Sequence, residues 1–204
     1  MPDRNTLIAI DADGVLVNYH AGYAKAWTRA FGETLETVDP DGYSTRDRFG
    51  VPHLEEDRRQ ILRGAMDEQF WSALPAMDGA LEACTSLHEA GYRLVCVSAV
   101  KEKYRDARAQ NLRDLGFPLE AVYAAPGAGT ATTSPKAAIL EELKPIAFVD
   151  DFAPYLRGVS DDIHKALLLR HPNGSPNTGD ALRLATTTHK NLLEFSKWWL
   201  AKKT

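Results

Sequence analysis

The sequence has few cysteines, no long hydrophobic run and no excess of positive charge, and each absence excludes a class of protein. Cys84 and Cys96 are the only two cysteines, and they fall in a predicted helix and a predicted strand, so neither a disulfide framework nor a metal-binding cysteine motif is expected. No apolar run approaches the ~20 residues that a membrane-spanning helix needs, and the first residues lack the apolar core of a signal peptide. We therefore expect a cytoplasmic protein with reduced thiols and no contact with a membrane.

The charge balance argues against a polymeric nucleic-acid partner. The formal net charge is −4, so no global basic field recruits nucleic acid or an anionic membrane surface. The composition, 44% hydrophobic and 25% charged, is ordinary for a globular protein. A chain of 204 residues is long enough for one large domain or a domain with an insert. Such a protein would need a metal ion, a lysine or an arginine to bind an anionic substrate.

Short apolar runs separated by helical patterns predict an α/β fold with a doubly wound parallel sheet. The runs do not alternate between apolar and polar residues, which is typical of parallel strands covered on both faces. The predicted strands are residues 7–10, 93–98, 121–124, 146–150 and 165–170. The predicted helices between and after them are residues 79–91, 101–116, 134–144 and 189–203.

One connection is too long for a simple strand–helix–strand unit. Such a unit takes roughly 30 residues, but Asp11 and Ser98 lie much farther apart in the sequence. The surplus contains helical patterns at 19–32 and 53–74, which predict a small, mostly helical cap domain. The predicted division is a core of residues 1–16 and 77–204 and a cap of residues 17–76.

Polar side chains follow three of the predicted strands. Asp11 and Asp13 follow the first, Ser98 ends the second, and Asp150 and Asp151 close the fourth. The carboxyl ends of parallel strands meet at one edge of the sheet, where ligands bind. Converging carboxylates repel one another and retain protons unless a cation joins them. Mg²⁺ prefers oxygen ligands of this kind, so we expect a magnesium site in which Asp11 and Asp150 are natural ligands.

Lys136 occupies an unfavourable position in its predicted helix. A lysine in the first turn opposes the helix dipole at a cost of about 0.3–1 kcal/mol, which a neighbouring acidic cluster or a bound phosphate would offset. The hydroxyl of Ser98 and the helix N-terminus add donors for phosphate oxygens. A metal, a cation and hydroxyl donors are what phosphoryl transfer requires, because its catalysis depends on positioning and charge neutralisation.

The spacing of Asp11 and Asp13 suits a nucleophile and its acid–base partner. A carboxylate can attack phosphorus and form an aspartyl phosphate, and a second carboxyl can protonate the leaving group and later deprotonate water. Residues two apart lie on the same side of an extended chain. Gly14 lets the chain turn away and is expected to give a substrate close access to the backbone.

The sequence DADGVL that begins at Asp11, the strand-end Ser98, the helix-opening Lys136 and the late DD pair resemble the four motifs of the haloacid dehalogenase-like (HAD) hydrolases, in that family's order. The resemblance covers residues 6–16 and about 78–170, and implies a Rossmann-like core. The insert resembles the helical cap that follows the first motif in part of the family.

The resemblance implies a role for each motif residue. Asp11 would be the nucleophile, Asp13 the general acid and base, Ser98 a phosphoryl ligand, and Lys136 the cation that neutralises the phosphoaspartate. The expected Mg²⁺ ligands are Asp11, Asp13, Asp150 and Asp151, of which Asp13 would contribute its backbone carbonyl and Asp151 would bind through water or support its neighbours. Substrate contacts are expected from Gly14, Ala99, His20 and Arg46.

We therefore predict a Mg²⁺-dependent phosphomonoester hydrolase that acts through a phosphoaspartate on a small phosphorylated metabolite, such as a nucleotide or a sugar phosphate. The presence of Asp13 argues against the dehalogenases and the phosphonoacetaldehyde hydrolases of the family, which lack this second aspartate. A phosphotransferase or phosphomutase remains open. A non-catalytic phospho-acceptor or binding module is a more distant alternative, because the acidic pair of such modules precedes the acceptor aspartate, the reverse of the order in this sequence.

Overall fold

A six-stranded sheet, parallel throughout, organises the chain. The structure is a computed structural model and describes residues 6–202. The strands are β1 (Leu7–Ile10), β2 (Arg93–Ser98), β3 (Ala121–Ala124), β4 (Ala147–Asp150), β5 (His164–Leu168) and β6 (Thr187–His189), in the spatial order β3-β2-β1-β4-β5-β6. The predicted doubly wound α/β fold is confirmed.

Eight α-helices lie among the described residues. They are α1 (Tyr19–Phe31), α2 (Thr45–Phe49), α3 (Glu56–Ala65), α4 (Glu68–Trp71), α5 (Ala80–Glu89), α6 (Arg105–Asp114), α7 (Ala137–Leu143) and α8 (Leu192–Ala201). Short 3₁₀ turns are at Glu102–Tyr104, Ala153–Leu156 and Gly179–Leu184. The predicted last helix begins later than expected, because His189 still belongs to β6, and residue 203 lies outside the described residues.

Both faces of the sheet are covered, as the non-alternating strands require. Along β1, Ile8 and Ile10 join the apolar layer beneath α5 and α8, whereas Leu7 and Ala9 join the layer beneath α7. All four residues are buried. Because the strand is buried on both faces, polar side chains are excluded until it ends. The first of them, Asp11, therefore lies at the carboxyl end of β1.

The long connection after β1 forms α1 to α4; its two ends pair with each other, and a loop within it contacts the sheet domain. Val17 pairs with Ala76 where the connection leaves and returns, and the backbone N–H of Tyr43 donates to the carbonyl of Asn173 at 2.9 Å. The helix predicted over 53–74 is broken in two, because the side chain of Asp67 accepts from the N–H of Phe70 at 3.1 Å and starts a new helix.

Two smaller expectations also have an outcome. Cys84 and Cys96 are free and buried, and burial raises the pKa of the Cys84 thiol to about 12. Within residues 6–202, no helix combines the length and the apolar character needed to cross a membrane.

Candidate active site

A cavity of about 380 Å³ opens at the carboxyl edge of the sheet. It lies beside β1, where the strand order changes direction: β2 and β3 follow on one side of β1, and β4, β5 and β6 on the other. Ligands bind at this point in open α/β sheets. Of the residues predicted to form a site, Asp11, Asp13, His20, Ala99 and Asp151 line this cavity.

Lys136 joins two of the motif carboxylates. Its Nζ donates to Oδ1 of Asp11 at 2.5 Å and to Oδ2 of Asp150 at 2.7 Å, and its side chain is fully buried. Burial by itself would lower the pKa of Lys136, but the two carboxylates raise it above its ordinary value. The lysine is therefore charged and fixes Asp11 and Asp150 relative to each other.

The helix that carries Lys136 begins slightly later than predicted. The first residue of α7 is Ala137, and Lys136 occupies the capping position. The hydroxyl of Ser134 accepts from the backbone N–H of Lys136 at 3.1 Å, so this serine turns the chain into the helix. The buried ion pairs offset the unfavourable position of a cation at this end of a helix.

Three carboxylates form a cluster that can hold a hard metal ion. One oxygen each from Asp11, Asp150 and Asp151 lies within 4.8 Å of the others, and all three residues are buried. Burial raises the pKa of Asp150 and of Asp151, with Asp11 adding repulsion at both, against the opposing effects of Lys136 and Arg170. A divalent cation would relieve this repulsion, and an all-oxygen ligand set of this kind suits Mg²⁺.

The Asp13 carboxylate lies outside that cluster, and the metal contact expected from the backbone carbonyl of Asp13 stays a prediction. Nη2 of Arg108 donates to Oδ1 of Asp13 at 2.6 Å. Burial raises the pKa of Asp13, and the Arg108 guanidinium opposes that rise only in part. A carboxyl with a raised pKa is suited to donate a proton.

Sequence reasoning missed two arginines that neutralise the site. Besides Arg108 on Asp13, Arg170 donates to Oδ2 of Asp151 through Nε at 2.7 Å and also contacts it through Nη2 at 2.6 Å. Arg170 follows β5, which ends two residues earlier than predicted, so the strand-end argument applied to the true end of β5 would have found it. Arg108 lies on the buried face of α6. An arginine is rarely buried unless it is paired, so its place among the apolar residues of this helix could have marked it.

The packing around Gly14 requires a glycine, and the access of substrate to its backbone stays a prediction. Its φ is +82°, and a Cβ at this position would come within 2.7 Å of Cζ of Arg170 and closer still to Oδ2 of Asp151. Gly14 is not among the residues that line the cavity. The glycine makes room for the ion pair that holds Asp151.

The hydroxyl of Ser98 is buried at this edge of the sheet and has no hydrogen-bond partner among residues 6–202. The residue is fully buried at the end of β2, and its Oγ forms no hydrogen bond there. A buried hydroxyl without a partner is costly, and a phosphoryl oxygen beside the acidic cluster would satisfy it. The site therefore fits an oxygen-rich ligand as well as a metal ion.

The predicted substrate contacts in the insert have different outcomes. His20 lines the cavity, and its Nε2 donates to the carbonyl of Tyr43 at 3.0 Å. Burial, with the nearby Arg170 and Arg48, lowers the pKa of His20 to about 4, so the ring is neutral near pH 7. Arg46 is exposed on α2 and does not line the cavity, so its position does not support the predicted substrate contact.

Aromatic side chains form much of the remaining wall. The hydroxyl of Tyr43 donates to the backbone carbonyl of Asp151 at 3.2 Å, which brings the insert over the acidic cluster. The ring of Tyr155 lies 4.5 Å from Nζ of Lys136. Tyr19 and Phe152 also line the cavity.

Comparisons with known proteins agree with this geometry. The family model for haloacid dehalogenase-like hydrolases matches residues 6–154, and no curated protein matches significantly. A HAD family hydrolase of Deinococcus radiodurans R1, solved with bound phosphate and sodium, superposes with a TM-score of 0.61 at 20% identity over 98% of this chain and 97% of its own.

Two further solved structures have the same fold at low identity. A predicted phosphoglycolate phosphatase of Haemophilus somnus 129pt gives a TM-score of 0.63 at 15% identity, over 98% of this chain and all of its own (100%). A putative β-phosphoglucomutase of Thermotoga maritima gives 0.60 at 16% identity, over 95% of this chain and 99% of its own. On the family match and the motif geometry together, this chain belongs to the haloacid dehalogenase-like hydrolases.

Proposed function

We propose that this protein is a Mg²⁺-dependent phosphomonoester hydrolase that acts through a phosphoaspartate on a small phosphorylated metabolite. The observation that carries the proposal is the bridge from Lys136 to Asp11 and Asp150, at a cavity that Asp13 also lines. In this arrangement Lys136 holds the Asp11 carboxylate in place, with a second carboxyl next to it. An aspartyl phosphatase needs both.

The metal would be held by Asp11, Asp150 and Asp151, the three residues of the buried acidic cluster. When bound, Mg²⁺ supplies positive charge that neutralises the oxygens of the transferring phosphoryl group.

In the first step, a carboxylate oxygen of Asp11 attacks phosphorus while the bond from phosphorus to the leaving oxygen breaks. The proton of Asp13 passes to that leaving oxygen, so the product departs as an alcohol. Lys136 orients Asp11, and the free hydroxyl of Ser98 donates to a phosphoryl oxygen. The products of this step are the alcohol, a phosphorylated Asp11 and an ionised Asp13.

In the second step, Asp13 takes a proton from water as the water oxygen attacks phosphorus. The bond from phosphorus to Asp11 breaks, and inorganic phosphate leaves. Asp13 has then recovered the proton that it gave up, and Asp11 is again a carboxylate. The two steps together consume one water molecule.

Residues 17–76 are proposed to act as the cap of this site, over a core of residues 1–16 and 77–204. The insert places His20 and Tyr43 in the cavity wall, and a cover of this kind excludes bulk water and selects small substrates. A cavity of about 380 Å³ suits a metabolite, such as a nucleotide or a sugar phosphate. A cytoplasmic location stays a prediction.

Phosphate release from a panel of nucleotides, sugar phosphates and p-nitrophenyl phosphate tests the proposal. We expect turnover that requires Mg²⁺, stops with a chelator and is lost in Asp11→Asn. Asp162→Asn, at an exposed aspartate that belongs neither to the acidic cluster nor to the cavity wall, is the matched control and should keep full activity. If no compound is hydrolysed by a folded protein, or if Asp11→Asn retains turnover, the proposal is wrong.

A phosphotransferase or phosphomutase is the alternative, since the first step is the same and only the acceptor differs. The contact from the Tyr43 hydroxyl to the backbone of Asp151 closes the insert over the cluster, which would help a hydroxyl acceptor compete with water. Incubation of p-nitrophenyl phosphate with free sugars distinguishes the two activities. A hydrolase releases phosphate, whereas a transferase forms a new sugar phosphate.

A further inference from the structure

The side chain of Arg108 is a buried cation with one carboxylate partner. It is fully buried in α6, and its Nη2 lies 2.6 Å from Oδ1 of Asp13. Among the described residues, neither Nε nor Nη1 of Arg108 has a hydrogen-bond partner. Burying an arginine with donors left unpaired is costly, so packing alone does not explain its presence.

One further contact touches the guanidinium, and another fixes the helix that carries it. Its Cζ lies 5.1 Å from the centre of the Trp71 ring, in cation–π contact with the inserted segment. On the same face of α6, Asn111 donates through Nδ2 to the carbonyl of Leu74 at 2.9 Å, which fixes the helix against the end of that segment. The position of Arg108 is therefore set by the fold and does not depend on Asp13 alone.

The contact uses only one of the two oxygens of Asp13. Oδ1 accepts from Arg108, whereas no described residue donates to Oδ2. The Asp13 side chain also lines the cavity and remains about 30% exposed there. A carboxyl anchored through one oxygen presents its other oxygen in a defined direction, which proton transfer to a bound leaving group requires.

We propose that Arg108 is a positioning residue that anchors Oδ1 of Asp13 so that Oδ2 exchanges the proton with the leaving oxygen and the attacking water. This inference rests on the proposed hydrolase function. Arg108 touches neither substrate nor metal in this role, and its effect passes entirely through Asp13. Loss of Arg108 should therefore resemble a partial loss of Asp13.

Two aryl phosphates of similar shape separate this role from a general structural one. Phenyl phosphate has a poor leaving group that needs a proton, whereas p-nitrophenyl phosphate leaves as a stabilised anion that needs little help. Steady-state kcat/KM reports the steps up to phosphorylation of Asp11, in which the leaving group departs. Arg108→Met removes the cation and keeps a side chain of similar length in the buried position.

We expect Arg108→Met to lower kcat/KM for phenyl phosphate by about 100-fold, the lower end of what a positioned acid contributes. For p-nitrophenyl phosphate the loss in kcat/KM should stay below about 10-fold on the same reasoning. Asp13→Asn should show the same dependence on the leaving group. Adding Arg108→Met to Asp13→Asn should cost less than about 3-fold more, because residues that act through one another are not additive.

Arg113→Gln is the matched control, since Arg113 is an exposed arginine of α6 whose side chain, among the described residues, is hydrogen-bonded to Gln110 alone. The control variant should hydrolyse both substrates as the wild type does. Thermal unfolding establishes that each variant is folded. If Arg108→Met does not fold, Arg108→Lys decides the question, because it keeps the charge but not the geometry of the guanidinium. Its kcat/KM should then fall more for phenyl phosphate than for p-nitrophenyl phosphate.

Equal losses for the two substrates would overturn the inference and leave Arg108 with a structural role only, as would no loss for either. A further loss of 10-fold or more on top of Asp13→Asn, judged against the usual additivity of independent sites, would also overturn it. These outcomes leave the proposed function intact. Failure of the wild-type protein to hydrolyse either substrate would instead overturn the proposed function, and the inference with it.

Discussion

Replacing Gly14 with alanine tests how the acidic cluster is packed. Gly14 has a φ of +82°, and a Cβ there would meet the guanidinium of Arg170 and the carboxylate of Asp151. Gly116 has the same φ of +82° at the end of α6, but a Cβ there would meet nothing within 4 Å. The pair of variants Gly14→Ala and Gly116→Ala therefore shares the backbone strain and differs in the steric clash.

The two contributions can be estimated separately. A left-handed conformation costs a residue with a Cβ roughly 1–2 kcal/mol, so Gly116→Ala should lower the free energy of unfolding by about that amount. Forcing extra atoms into a packed site costs typically a further ~1–3 kcal/mol. Gly14→Ala should therefore lose about 2–5 kcal/mol in total, because neither Arg170 nor Asp151 can move without breaking their ion pair.

Urea unfolding of both variants at one pH gives the comparison, with the slope of the transition used to check that the unfolded states are alike. In an Arg170→Ala background, Gly14→Ala should cost less stability than it does in the wild type, because part of the steric clash is gone. The cost of the backbone strain should remain. If Gly14→Ala loses no more stability than Gly116→Ala, the ion pair does not pack against Gly14. Room for the ion pair would then not be the reason that a glycine occupies this position.

Three further predictions follow from the charges of the site. Lys136→Met should lower the free energy of unfolding by about 3–5 kcal/mol, because it leaves Asp11 and Asp150 buried without their cation. The control Lys165→Met, which removes a pair with an exposed aspartate, should lower it by less than ~1 kcal/mol. Equal losses for the two variants in urea unfolding would contradict this prediction. Mg²⁺ should raise the melting temperature of the wild-type protein but not of Asp150→Asn, and an unchanged rise in that variant would exclude Asp150 as a ligand. The pKa of His20 is about 4 in the folded protein and 6.5 ordinarily. Between these pH values the unfolded state binds more protons, so the stability of the protein falls as the pH drops through this range. Thermal melts at several pH values should show a weaker dependence for His20→Gln than for the wild type, and an identical dependence would refute this prediction.

Much of the fold was predictable because strands buried on both faces have sequences of consecutive apolar residues. The uninterrupted apolar run of β1 is covered on both faces, and the polar residues begin where the strand ends. The edge strand β6 escaped prediction because its three residues, Thr187–His189, include two threonines and a histidine and so lack an apolar run. The break at Asp67 was missed because helical periodicity continues across the new cap.

The carboxylates of the site and Lys136 were predictable from the sequence, but its two arginines were not. Asp11 directly follows β1, Asp13 comes two residues later and Asp150 ends β4, so local sequence places them at the carboxyl edge of the sheet. Arg108 reaches Asp13 and Arg170 reaches Asp151 from positions 95 and 19 residues away along the chain. Such pairings depend on how α6 and β5 pack, which periodicity does not specify.

In the proposed mechanism Asp11 carries the phosphoryl group, and the sharpest experiment is to find that group on Asp11. Wild-type protein and Asp13→Asn would be mixed with Mg²⁺ and p-nitrophenyl phosphate, quenched in acid and mapped by peptide mass spectrometry. We predict a phosphate adduct on Asp11 that accumulates in Asp13→Asn, where water attack is slowed, and that is absent in Asp11→Asn. Turnover of p-nitrophenyl phosphate with no adduct on Asp11 in either protein, or with an adduct on another residue, would contradict the proposed mechanism.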